Sequence, residues 1–317
     1  MIAEPVTTPE NGVPGAAARY DQPPMSVPAP HTRDLWVHRS GRLDCRIGHL
    51  VGIVNATPDS FTDQGRHFGT GASVARGEAV AAAGASVVEV GGESLRFSPR
   101  TDAREEAERV VPVIERLVRL VDVPVAIDTF KPLVAEAALA AGASIVNDPS
   151  GLRDPAMTRA VADHEAGLVL THFFGIPKIR PRAFPDVDLP TAIVEWALPA
   201  LDTARDAGIP SERIVIDPGV GLGKSPEQDL QLLHRLAELD VLDRPVFVPI
   251  SHKKVLGAVT GRDASARQAA TAAALAWCRI QGASVFRVHD VEVMRDVLVA
   301  TEALMDGTPR RWHDVVM

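Results

Sequence analysis

Eight short runs of β-branched and apolar residues recur along this chain, and no other feature narrows its fold so far. They are VGIVNA (51–56), ASVVEVG (85–91), VPVAID (123–128), ASIVND (143–148), GLVLTH (167–172), RIVIDP (213–218), RPVFVPI (244–250) and ASVFRVH (283–289). Longer segments with helical periodicity lie between them, for example 104–120 and 262–281. Near-continuous apolar runs suit strands covered on both faces, and their alternation with helices predicts parallel β/α units. An open doubly wound sheet alternates too, but eight units of about 30 residues match a closed barrel better. The expected fold is therefore α/β, a (β/α)8 TIM barrel. Three of the runs follow Ala-Gly-Ala or Gln-Gly-Ala, where Gly84, Gly142 and Gly282 suit the left-handed end of a preceding helix.

A barrel takes about 250 residues, and the chain has 317. The surplus divides naturally. Residues 1–34 are rich in Pro and Ala without periodicity and read as a flexible tail. Residues 35–50 hold a Ser-Gly turn between two extended runs and predict a hairpin over one end of the core. The barrel is expected over 51–306, followed by a tail at 307–317. Net charge is −8 with no basic block, which argues against a nucleic-acid partner, although Lys253 and Lys254 offer a local spot for a small anion. The only cysteines are Cys45 and Cys278, so a disulfide scaffold is not expected and a cytoplasmic setting is. Neither a secretory signal nor a membrane span is predicted.

Each run ends in polar or ionisable residues. Asn55 closes the first, Glu93 and Arg96 follow the second, and Asp128 ends the third. Asn147 and Asp148 end the fourth, His172 the fifth and Asp217 the sixth. Ser251, His252 and Lys253 follow the seventh, and Arg287 and His289 lie on the eighth. One such residue alone reads as a helix cap or a satisfied hydrogen-bonding group. Eight strand ends of this kind predict a site at the carboxyl mouth of a barrel. The run DPGVGLGKS (217–225) is not a Walker loop, because Pro218 stands where that loop needs glycine. A zinc site of His172, Asp217 and His289 is disfavoured by the lack of paired histidines on the first strand.

Over roughly 50–306 the chain resembles the dihydropteroate synthase family. The resemblance rests on GIVNATPDSF (52–61), VGGESLR (90–96), IDTFKPLVAEAALAAGASIVNDPSG (127–151), THFFGIP (171–177), IDPGVGLGK (216–224), SHKKVLG (251–257) and FRVHDV (286–291), in order. It implies a transferase that joins a pterin, activated as its 6-hydroxymethyl diphosphate, to an arylamine such as p-aminobenzoate. By the same resemblance Asp128, Asn147 and Asp217 hold the pterin edge, with Lys253 beside its carbonyl. Asn55 would be the Mg2+-linked asparagine, Arg287 and His289 the diphosphate clamp, and Asp63 and Arg96 a loop acid and base. A homodimer is implied as well.

Departures from the family pattern gather where the acceptor would lie. Leu95 stands for Thr, Phe97 for Pro and Leu222 for Phe, while Pro249, His252 and Lys254 replace Gly, Arg and Ser. Thr171 and Phe173 replace the Met residues flanking the fifth-strand histidine. Three readings are open: neutral drift, a different acceptor nucleophile, or a pterin- or folate-binding barrel without synthase activity. Retention of the diphosphate positions favours an enzyme.

Overall fold

The computed structural model describes residues 32–57, 69–94, 100–175, 177–179 and 186–307. A short antiparallel hairpin comes first, β1 (Leu35–His38) and β2 (Gly41–Asp44). The parallel strands follow as β3 (His49–Asn55), β4 (Val87–Gly91), β5 (Val125–Asp128), β6 (Ile145–Asp148), β7 (Gly167–Thr171), β8 (Ile214–Asp217), β9 (Phe247–Val248) and β10 (Val285–Val288). Strand β3 begins at His49, inside the segment expected to be hairpin alone. The sheet order is β8-β7-β6-β5-β4-β3-β10-β9. A bridge between Ile216 and Val246, with Ile216 N–H donating to Pro245 O at 2.9 Å, joins its two edges. The result is a (β/α)8 barrel.

Helices α1 (Thr70–Ala82), α2 (Ala103–Leu120), α3 (Pro132–Ala140), α4 (Pro155–Asp163), α5 (Leu189–Asp206), α6 (Pro226–His234), α7 (Lys254–Thr260), α8 (Gln268–Ile280) and α9 (Val291–Asp306) surround it. Their starts are written locally. Asp102, Asp154, Asp188 and Asp290 each accept a backbone N–H at the first turn, and Ser225 with Gln228 forms a capping box. The expected helix over 262–281 starts only at Gln268. Gly261 turns the chain left-handed, Ala264–Ala266 form a single 3-10 turn, and the Arg267 guanidinium folds back onto the carbonyls of Arg262 and His252, holding this segment apart from the α-helix.

Alternation along a strand sends successive side chains to opposite faces. The outward set, including Val88, Ile127, Val146, Leu168, Ile216, Val248 and Phe286, packs under the helices. The inward set forms a layer with one residue per strand: Val51, Val87, Ala126, Ile145, Val169, Val215, Phe247 and Val285. Trp36 of β1 joins this layer from below, 1% exposed, with its indole N–H donating to Arg213 O at 3.2 Å. The hairpin thus closes the amino end of the barrel. Cys45 and Cys278 are both buried free thiols.

Candidate active site

Moving two residues along each strand from the apolar layer gives the next inward layer. It reads Ile53, Glu89, Asp128, Asn147, Thr171, Asp217, Pro249 and Arg287. The barrel lumen therefore changes from hydrocarbon to a ring of hydrogen-bonding groups within one pleat, toward the carboxyl end.

These groups are tied together. Arg287 pairs with Glu89 through Nε and with Asp128 Oδ2 through Nη2 at 2.8 Å. Asn147 Nδ2 donates to Glu89 Oε2 at 2.9 Å. Thr171 Oγ1 lies 3.2 Å from Asn147 Oδ1 and 3.5 Å from Asp217 Oδ2. Asp217 Oδ1 accepts the Gly219 N–H at 2.7 Å. Only glycine fits at 219: φ is +73° and a Cβ would stand 1.8 Å from His172 O. Lys253 reaches back over this turn and donates to Val220 O at 2.7 Å. Lys224 Nζ pins the same loop through Gly219 O, at 2.9 Å.

Burial dominates the electrostatics. It pushes the Asp217 carboxyl up to about 6, against the Gly219 N–H and the nearby Lys253. It pushes Asp128 up as well, and Arg287 pulls it back. Burial opposes the charge on Arg287, but Glu89 and Asp128 more than offset it, so its pKa is raised. Lys253 is lowered by burial, with Asp217 and Asp229 working the other way. Lys224 falls to about 7 for the same reason. His289, on the rim, is lowered by desolvation and then by Arg287, and its Nδ1 meets Ser251 Oγ at 2.9 Å.

The strand-end residues singled out from sequence divide by parity. Asp128, Asn147, Asp217 and Arg287 meet inside the barrel, with Lys253 and His289 at its rim. Asp148 turns away and caps the next turn, taking Ser150 N–H at 2.8 Å and Leu152 N–H at 2.7 Å. His172 points outward, edge-on to Trp196 of α5 at 5.0 Å, and burial lowers it to about 2. It therefore does not face Asp217 and His289 as zinc ligation would require, and among the described residues no cluster of three such side chains could hold a metal. Glu93 is drawn aside by Lys131 at 2.7 Å and Lys178 at 3.2 Å. Asn55 is exposed at the end of β3.

On the other flank, Leu222 contributes its carbonyl to Phe174 N and Lys224 Nζ. Strand β9 stops at Val248, next to Pro249, which has no N–H to donate. His252 has φ +57° and its ring lies 5.4 Å from that of His289. Lys254 is exposed and opens α7. Asp63, Leu95, Arg96 and Phe97 lie outside the described residues.

Sequence reasoning missed Glu89 and named Thr171 only as a departure. Both are inward by the period-two rule counted from Val87 and Val169. An acid inside the apolar run VVEVG was the available signal.

A barrel with this polar ring is a pterin-binding enzyme: residues 51–289 match the family model described as pterin binding enzyme. The chain belongs, within it, to the dihydropteroate synthase family, whose members are transferases. It is 35% identical over 259 residues to the dihydropteroate synthase of Synechocystis, covering 81% of this chain and 90% of that one. It is 44% identical over 261 residues to a probable bifunctional folylpolyglutamate synthase/dihydropteroate synthase of Halobacterium salinarum, covering 81% of this chain but only 32% of that longer protein. Among solved structures, Xanthomonas albilineans dihydropteroate synthase with 4-aminobenzoic acid superposes with a TM-score of 0.77 at 39% identity, covering 83% of this chain and 95% of the other.

Proposed function

We propose that this chain joins a 6-hydroxymethyl-dihydropterin diphosphate to an arylamine, p-aminobenzoate or an analogue, with release of diphosphate. The observation that carries this reading is the convergence of Asp128, Asn147 and Asp217 in one inward layer. A carboxylate accepts two N–H groups of an aminopyrimidine edge, and an amide both donates and accepts. Relatives of known structure support the substrate classes, one of them holding 7,8-dihydropteroate.

The bond from the pterin methylene to the diphosphate oxygen breaks, and the amine nitrogen then forms the new C–N bond and loses a proton. Lys253 stands beside the pterin group with its charge weakened by burial. Arg287 and His289 meet the charge that grows on the departing diphosphate. Asp63 and Arg96 enter as loop acid and base on the family resemblance alone. Mg2+ fits Asn55: one amide oxygen at an exposed strand end suits an ion that arrives largely ligated by phosphate and water. Bound there, it would neutralise the diphosphate charge. The acceptor side is the flank of Leu222, His252 and Lys254, with Leu95 and Phe97 assigned from sequence.

A homodimer through α6, α7 and α8 belongs to the proposal. Leu230, Val259, Trp277 and Ile280 of these helices are exposed, and Trp277 Nε1 ties α8 to Leu233 O of α6 at 2.8 Å. A cytoplasmic setting is supported by the two buried free thiols; no described helix is long and apolar enough to cross a membrane. The decisive experiment mixes the protein with pterin diphosphate and Mg2+, with and without p-aminobenzoate, and follows diphosphate release and the conjugate by mass spectrometry. Absence of both products, with any arylamine offered, would overturn the reading.

A further inference from the structure

We infer that Glu89 and Thr171 are a pair of positioning residues that fix the orientation of the Asn147 amide, and with it the donor and acceptor order shown to a pterin. This rests on the pterin reading above and deepens it.

The argument starts at Arg287. Its guanidinium pairs with Glu89, which is 1% exposed. The guanidinium donates to this carboxylate, whose oxygens act as acceptors. The Asn147 atom 2.9 Å from Glu89 Oε2 must then be the nitrogen. Turned over, the amide would set its oxygen against a carboxylate oxygen at that distance, with no proton between them. The choice follows from the ion pair and does not depend on telling N from O in the amide.

With its nitrogen held by Glu89, Asn147 presents Oδ1 to the next strand. Thr171 Oγ1 waits there at 3.2 Å. The hydroxyl has one proton and two acceptors in reach, Asn147 Oδ1 and the Asp217 Oδ2 at 3.5 Å. The shorter contact favours Asn147 and leaves Asp217 Oδ2 for a ligand, since Oδ1 is taken by Gly219 N–H. One line of contacts thus runs Arg287, Glu89, Asn147, Thr171, Asp217 across the inner wall. Asn147 keeps one N–H and one oxygen lone pair for the ligand. That is the pairing an amide-type pterin edge requires, beside an acceptor carboxylate for its amino group. Methionine at 171, as in the family pattern, offers no proton for this wall, so the hydroxyl is a feature of this chain.

Both residues act through their neighbours, and the test separates that role from a merely structural one. E89Q keeps the size but brings a donor, which lets the Asn147 amide turn over. T171V keeps the shape and removes the hydroxyl, and T171S restores it. Calorimetry with 6-hydroxymethylpterin is expected to show Kd raised about tenfold in E89Q and about threefold in T171V, with T171S returning to the wild-type value. In turnover, T171V should raise KM for the pterin diphosphate and leave kcat near wild type. Wild-type Kd in T171V, or failure of T171S to restore it, overturns the inference even if E89Q does not fold. D217A is the control: if it loses pterin while E89Q and T171V bind normally, the positioning role fails and the pterin reading survives. If D217A also binds normally, both fail.

Discussion

The two ends of this barrel are built from the same strands and differ by one step of the pleat. At the amino end the lumen is Val, Ile, Ala and Phe, closed by Trp36. At the carboxyl end the next inward residues are Glu89, Asp128, Asn147, Thr171, Asp217 and Arg287, joined by ion pairs and hydrogen bonds. The lower layer gains by leaving water. The upper layer bears the burial of charge, visible in the raised carboxyls of Asp128 and Asp217. Stability and chemistry are thereby assigned to separate storeys of one sheet, as expected where function sits on the loops and strand ends of a rigid scaffold.

Four measurements press on that division. Trp36→Ala should have the largest effect, about 3–5 kcal/mol of stability, because an aromatic side chain 1% exposed leaves a cavity. Denaturant unfolding reads the loss, and kcat/KM at a temperature where the variant is folded should stay near wild type. A catalytic defect without a stability defect would break the comparison. Arg287→Ala comes next. Removing a group that meets growing negative charge should lower kcat by about a hundredfold or more, or roughly 2.7–4 kcal/mol in the transition state. Steady-state kinetics that show only a KM change would count against the assigned role.

The third measurement uses pH. Asp217, with a folded-state pKa of about 6, must be charged to accept pterin N–H groups. Affinity should fall as pH drops through 6, by about tenfold per unit well below it, and more steeply where Asp128, also raised by burial, is protonated as well. Ligand-free stability should move the opposite way. A carboxyl raised above its unfolded value of 3.8 favours the protonated native state, so its contribution is complete below about 4 and is lost as pH rises through 6. Asp217→Asn should remove the step near 6 from both curves and leave the contribution of Asp128; pterin affinity that stays level down to pH 5 in the unaltered protein would refute the assignment. The smallest effect is expected at Lys254, which is exposed. Lys254→Ser should change KM for p-aminobenzoate by less than about 1 kcal/mol, since a solvated charge contributes little. Alongside it, inhibition by a sulfonamide tests whether the flank of Leu222, His252 and Lys254 has altered the acceptor site. Weak use of p-aminobenzoate with weak inhibition is the expected outcome, and ordinary values of both would make those substitutions neutral.

The strands were legible because buried parallel strands leave apolar runs that any reading of periodicity finds. Asp128, Asn147 and Asp217 were legible because they break those runs at or beside the end, where a change of chemistry is conspicuous, and Arg287 because a cation interrupts its run one residue before the strand ends. Glu89 was not, since Val90 and Gly91 continue its strand and the run looks unbroken. His172 was named as the polar end of the fifth run and Thr171 only as a departure, yet one position along a strand reverses the facing, and it is Thr171 that points inward. The late start of α8 was hidden for a different reason. Residues 262–267 have helical spacing, and only the reach of Arg267 back to His252 shows why they form a short 3-10 turn and do not join the α-helix.

The hairpin that carries Trp36 has one more consequence, for the order in which the chain becomes structured. Several of its partners are late in the sequence. The indole meets Arg213 O, 177 residues away, and Arg33 pairs with Asp240, 207 away. Phe247 and Val285 complete the layer it touches. As the ribosome delivers the chain, the hairpin emerges ahead of the barrel; Leu139 O and Ser144 offer contacts to Arg39 and Ser40, but the layer under Trp36 is complete only when β8 to β10 have followed. Such distant pairings are slow to close, because chain entropy must be lost before any contact forms. The hairpin is therefore synthesised before the barrel and fully secured only once the barrel is complete, and a nascent barrel waits with an open floor and an exposed apolar interior. Slowing translation after residue 285 should change the yield of native protein less than slowing it before residue 213.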